Sequence, residues 1–158
     1  VSGIPARVGS GEGEASMGGE LGGFLIGYVP AGVDGEVSDF ASEWEGVRFR
    51  TRVWERQVAE GWRVDLRVHV LRGGRLGTLG ELRDFLADYH ERDAATWPLT
   101  EFTEGGVTGL VGDGEAFRLV EPGVAVDVRA DPEQVPEPEL RAVAAGVRPA
   151  ATPERTAD

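Results

Sequence analysis

The sequence predicts an α+β domain: an antiparallel β-sheet of about six strands with two helices packed on it, in the order βββ-α-βββ-α. Three observations carry this reading. Residues 47–54 and 62–71 alternate apolar and polar side chains with period two, as half-buried strands do. Segments beginning near Thr78 and near Glu137 instead place apolar residues at helical spacing. Glycine and proline breaks set off the remaining short apolar runs as further strands.

The elements follow in order. Residues 1–22 hold seven glycines with serine, glutamate and few apolar side chains, so they cannot offset their own ordering entropy and read as a flexible arm. The apolar run from Phe24 to Val29, ended by Pro30 and Ala31-Gly32, is a strand entering a turn. In the next run Val47, Phe49, Thr51 and Val53 share one face, and Arg48, Arg50, Arg52 and Trp54 the other. The following run sets Val64, Leu66, Val68 and Val70 against Arg63, Asp65, Arg67 and His69. A short polar segment around Gln57–Gly61 joins the two as an antiparallel hairpin. A turn centred near Ala59 places Arg52 opposite Asp65 and Arg50 opposite Arg67.

Gly73-Gly74 ends the hairpin, and Thr78-Leu79-Gly80-Glu81 fits a capping box. The helix it starts sets Leu82, Phe85, Leu86 and Tyr89 opposite Arg83, Asp84 and Asp88, an amphipathic face that must lie on a sheet. After Trp97-Pro98, strands are expected over 99–103, 106–119 and 124–129, with turns at Gly112-Asp113-Gly114 and Glu121-Pro122-Gly123. A closing helix over 137–147 carries Leu140, Val143, Ala144 and Val147, with Pro138 in its first turn. Residues 148–158 are a polar tail, which leaves 23–147 as the folded unit.

Composition narrows function by exclusion. The 158 residues, 41% of them apolar, suit one domain with a real core. Acidic residues number 28 against 16 basic ones, a formal charge of −12 that argues against nucleic acid and against an anionic membrane surface as partner. Without cysteine there is no disulfide, thiolate zinc site or cysteine nucleophile. Every basic residue is arginine, a usage that fits a high-GC bacterial genome. No apolar run is long enough to span a bilayer, so any membrane attachment is expected through an anchor outside the chain, with the glycine-rich arm as tether. An intact cytoplasmic protein is the alternative.

The most distinctive local feature is the hairpin. Arg48, Arg50, Arg52, Arg56, Arg63, Arg67 and Arg72 stand against Glu55, Glu60 and Asp65, a net +4 that leaves −16 for the rest of the chain. Like charges facing each other across strands are unfavourable unless something anionic lies between them. Arg48, Arg50, Arg52, Arg63, Arg67 and His69 therefore form a candidate surface for a small anion or an acidic partner, since guanidinium forks suit carboxylate and phosphate. The competing expectation is a solvated face neutralised by acids elsewhere in the fold, such as Asp127. Trp54 and Trp62 flank the hairpin turn and form a candidate aromatic patch, against the plainer expectation of core or edge packing.

No catalytic site, metal or cofactor is predicted. His90, followed by Glu91 and Asp93, is the sole candidate base, and a histidine in the last turn of a helix suits the helix dipole without further role. A metal site would need His69 and His90 to converge with a carboxylate. The run Gly109–Gly114 lacks the lysine of a phosphate-binding loop and reads as a hairpin turn. No serine has the setting of a nucleophile elbow.

Gly23, Phe24, Tyr28 and Pro30 open the domain as Gly-Phe-x-x-x-Tyr-x-Pro; Thr78, Leu79 and Glu81 introduce the central helix. A glycine-containing hairpin follows at Gly106 and Gly109, and then a Glu-Leu-x-x-Val-Ala helix at Glu139, Leu140, Val143 and Ala144. In these features the chain resembles the PsbP-like fold, which includes the actinobacterial lipoproteins of the LpqN type. It is similar also to a domain of unknown function at the extracytoplasmic end of anti-sigma-factor-like membrane proteins. The resemblance implies a non-enzymatic binding or sensory domain outside the cytoplasm, in a membrane-tethered or secreted protein. A cytoplasmic adaptor or immunity-type protein that engages a basic partner is the second expectation. A hydrolase using His90 with Glu91 or Asp93 is the third.

Overall fold

The two alternating runs form the longest strands of the protein, and the rest is arranged on the sheet they begin. The structure is a computed structural model that describes residues 16–150; most of the glycine-rich arm and the tail beyond 150 lie outside the described residues. Among the described residues there are ten strands and two α-helices: β1 Gly19–Leu21, β2 Phe24–Ile26, β3 Glu36–Trp44, β4 Val47–Val58, β5 Gly61–Arg72, α1 Leu79–Tyr89, β6 Thr100–Glu104, β7 Val107–Gly112, β8 Glu115–Glu121, β9 Val124–Ala130, α2 Glu137–Gly146 and β10 Val147–Pro149. Seven of them make one antiparallel sheet in the order β3-β4-β5-β9-β8-β7-β6, and a second sheet runs β10-β2-β1. The α+β class is the expected one.

Three differences from the sequence expectation have physical causes. The first is β3, an edge strand that among the described residues pairs only with β4. Most of its residues are exposed, Val37 and Phe40 among them, so it carries no alternation to read. The second concerns the ends. Ser16 bridges Val29, β1 pairs with β2, and β10 pairs with β2 on its other side, so the folded unit reaches beyond 23–147 in both directions. Arg52 holds the β1 segment down by donating to the carbonyls of Gly18 and Glu20.

The third difference is the hairpin register. The turn lies at Ala59-Glu60, two residues off the expected pairing, and a bulge between Trp54 and Glu55 adds a third, so Arg52 faces Val68 and Arg50 faces Val70, not Asp65 and Arg67. The arginine row of β4 therefore shares a side of the sheet with the valine row of β5. Such a register is tolerable because both sides of the sheet are covered.

On one side, Trp54, Leu66, Val68, Val70, Val126 and Val128 pack against Leu140, Val143 and Ala144 of α2 and against Phe24 and Ile26 of the small sheet. On the other, Val47, Phe49, Leu71, Phe117 and Ala125 pack against Leu82, Phe85 and Leu86 of α1. The cap of α1 is as expected at Thr78, whose hydroxyl accepts from the Glu81 N–H at 3.1 Å, while the Glu81 carboxylate accepts from Gly77 N–H.

Gly109, in β7, sits where strands approach too closely for a side chain. A Cβ there would run into the Phe117 carbonyl oxygen and lie 2.9 Å from the ring of Phe102. Neither neighbour can give way, one being backbone and the other a buried core ring. Gly109→Ala is expected to lose about 3 kcal/mol in urea denaturation. Gly74→Ala, with nothing within 4 Å of its Cβ, is expected to stay within about 0.5 kcal/mol of the parent.

Candidate functional site

On the α1 side of the sheet, the polar positions of four strands fall into two adjacent rows. Thr51, His69, Asp127 and Phe117 lie across β4, β5, β9 and β8 in one row; Val53, Arg67, Arg129 and Glu115 make the next. Buried apolar surface from α1 covers one end of this face, and the helix stops at His90, whose ring drops onto the second row. A cavity of about 570 Å³ opens there, lined by Arg67, Arg129, Arg92, His90, Glu115 and the Asp113-Gly114 turn among others.

Arg67 and Arg129 are direct cross-strand neighbours on this face. Neither makes an ion pair or side-chain hydrogen bond with any carboxylate among the described residues. Burial and the facing Arg129 both push the Arg67 guanidinium below its ordinary value. Two like charges thus stand side by side with nothing of the protein between them, an arrangement that costs free energy in isolation.

Beside them is a buried carboxyl pair. His90 Nε2 lies 2.9 Å from Glu115 Oε2. Burial alone would raise the Glu115 carboxyl, but hydrogen bonding to His90 and to Asp127 outweighs it and holds Glu115 below the usual carboxylate range. Asp127 goes the other way: complete burial, then the Glu115 charge and the hydrogen bond shared with it, raise it well above its ordinary value. Asp127 is therefore the proton-holding partner, and one of its oxygens, Oδ1, has no hydrogen-bond partner. His69, opposite Asp127, bonds Thr51 Oγ1 through Nδ1 at 2.8 Å and leaves Nε2 buried and unpartnered. Burial first, then the charges of Arg129 and Arg67, drive its pKa from the ordinary 6.5 down to about 3.

The structure divides the residues singled out in the sequence. Arg67 and His69 belong to this site. Arg63 lies outside it, paired with Asp131 at 2.7 Å and with Glu133. Arg52 is held by Asp39 at 2.7 Å, and Arg56 by Asp65 at 3.1 Å, so internal neutralisation accounts for these. Arg48 and Arg50 are exposed on the opposite side of the sheet, near Arg72 and Ser42. The six residues thus do not form one surface. Trp54 is in the core under α2 and Trp62 is exposed, so the two make no common patch. His90 takes its carboxylate partner from β8, as Glu115, whereas the Asp93 carboxylate accepts from Ala95 N–H.

Glu115 and Arg129 were not singled out from the sequence, and Asp127 only as a neutralising acid. Asp127 did carry a signal, as an acid in the middle of an otherwise apolar strand.

Comparison with known proteins gives no matching family model, no matching curated protein and no matching solved structure. Among the described residues no helix is long and apolar enough to cross a membrane.

Proposed function

We propose that the protein is a non-enzymatic binding domain that takes a small anion, a carboxylate or phosphate group, between Arg67 and Arg129. The observation that supports this is the cross-strand pair of guanidiniums, without acidic partners, on the wall of a cavity large enough for a small molecule. Arg92, stacked at 4.7 Å over the Trp97 ring, stands at the rim as a third cation. The resemblance to extracytoplasmic domains supports a place outside the cytoplasm, which fractionation of the native host would test.

The anion reading predicts opposite signs for two measurements on one variant. In chloride buffer, Arg129→Ala removes a like-charge contact and is expected to be as stable as the parent or more stable by up to about 1 kcal/mol. In millimolar sulfate or inorganic phosphate, the parent gains thermal stability over an equal concentration of chloride, and Arg129→Ala and Arg67→Ala lose that gain. Arg50→Ala, on the other side of the sheet, keeps it. A parent protein indifferent to both anions, or a gain that survives both pocket variants, would overturn the reading.

A further inference from the structure

We propose that His90 Nε2, a carboxylate oxygen of Glu115 and a carboxylate oxygen of Asp127 bind one divalent first-row transition-metal ion. The three ligand atoms lie within 4.8 Å of one another, the spread that a single ion can span. They are contributed by three separate elements, the end of α1, β8 and β9, so the grouping is a product of the fold and not of local sequence.

Burial separates this cluster from the acidic groups common on protein surfaces. Glu115 and Asp127 are 7% and 1% exposed, and His90 is partly covered. A buried carboxyl pair is costly, and a buried oxygen without a partner adds to the cost. Asp127 Oδ1 is such an oxygen, and an ion at the cluster gives a carboxyl at that position its missing partner.

His69 supplies an independent observation. It is 6% exposed, and Thr51 engages its Nδ1, which leaves Nε2 with no partner. His69 is the cross-strand neighbour of Asp127, so a second buried, unpartnered polar atom stands beside the cluster, although its nitrogens lie outside the ligand group itself.

The donor set selects the class of ion. One imidazole with two carboxylates suits Zn²⁺ or Mn²⁺, whereas Mg²⁺ and Ca²⁺ prefer oxygen alone. Arg67 and Arg129 stand in the adjacent row and oppose a cation, and the two carboxylates offset them. The inference goes beyond the anion pocket and does not need it.

The test uses the full chain without a polyhistidine tag, stripped with chelator and dialysed, then titrated calorimetrically with ZnCl₂ or MnCl₂. One ion per chain is expected. The melting temperature should rise by about 4 °C or more when free ion reaches a hundredfold excess over its Kd. MgCl₂ and CaCl₂ should leave it unchanged. His90→Gln, at a partly exposed helix end that folding tolerates, should weaken binding at least tenfold, and Asp127→Asn should do the same. Absence of saturable binding, or equal affinity in His90→Gln, refutes the site. Arg67→Ala should keep the metal response while losing the sulfate response, so the two readings fail separately.

Discussion

Replacing Arg118 by alanine is expected to cost about 3 kcal/mol, the largest loss from any single charged side chain outside the cavity. Arg118 lies on β8, only 5% exposed, on the side of the sheet covered by α2. Its Nε donates to the Ala144 carbonyl at 3.0 Å and its terminal nitrogen to the Val147 carbonyl. These are carbonyls at the C-terminal end of α2 and the start of β10, which the helix itself cannot satisfy. A cation at that end also meets the negative pole of the helix. Burial, and then the nearby Arg148, lower its proton affinity, which shows that the site is paid for in desolvation.

Alanine removes the stem and the charge together and strands both carbonyls. Methionine keeps the stem, so Arg118→Met should lose only about 1–2 kcal/mol and separate packing from hydrogen bonding. Lysine has no planar fork with which to reach two diverging carbonyls and should fall between them. Urea denaturation orders the three variants, and amide exchange at Val147 and Arg148 should quicken in each before global unfolding. An alanine variant within about 0.5 kcal/mol of the parent would remove Arg118 from this role.

Arg118 also shows why part of the molecule was legible and part was not. Period-two and helical spacing revealed β4, β5, β9, α1 and α2, because each buries a face and burial leaves a periodic trace. Within the strand Glu-Ala-Phe-Arg-Leu-Val-Glu, Arg118 reads as an ordinary outward residue, since nothing local says that α2 returns to cover it. β3 was missed for the converse reason: it buries almost nothing. The register failed by three residues, two from the position of the turn and one from the bulge at Trp54 and Glu55, which leaves no mark in composition yet decides which rows face each other.

The candidate site follows the same logic. Arg67 and His69 stood out from the alternation of β5, but their partners come from strands placed beside it by the β5-β9-β8 order. Strand order is non-local, so the meeting of His90 with a buried carboxyl pair, next to His69, had no sequence signature. The bulk charge of −12 was likewise uninformative about it. Three of the seven hairpin arginines are matched, by Asp39, Asp65 and Asp131, and the pair on the cavity wall includes Arg129, which the hairpin does not contain.

The buried row gives the acid response two opposing parts, and mutation should separate them. In chelator-treated protein, His69 has a folded pKa of about 3 against about 6.5 when unfolded. Below pH 6.5 the unfolded chain gains a proton that the folded one refuses. The His69 contribution is therefore complete above that pH and is lost as pH falls toward 3. Asp127 has the opposite sign: its folded value is raised, so the folded protein keeps a proton that the unfolded chain gives up above pH 4. Its contribution is present in acid and declines as pH rises. The groups facing His69 are Arg67, Arg129, Asp127, Glu115 and His90, with Thr51 and Phe49 behind it.

His69→Asn retains a polar atom for Thr51 and removes the titration. The stability lost by the parent between pH 7.5 and pH 5 should shrink by about 2 kcal/mol in this variant, since one proton over 1.5 pH units below 6.5 is worth about that much. Asp127→Asn should steepen the same loss, because it removes the compensating term and leaves that of His69. Urea midpoints at the two pH values, at constant m, read both effects. Parallel pH profiles for the parent and both variants would mean that the row does not titrate as a buried, coupled unit.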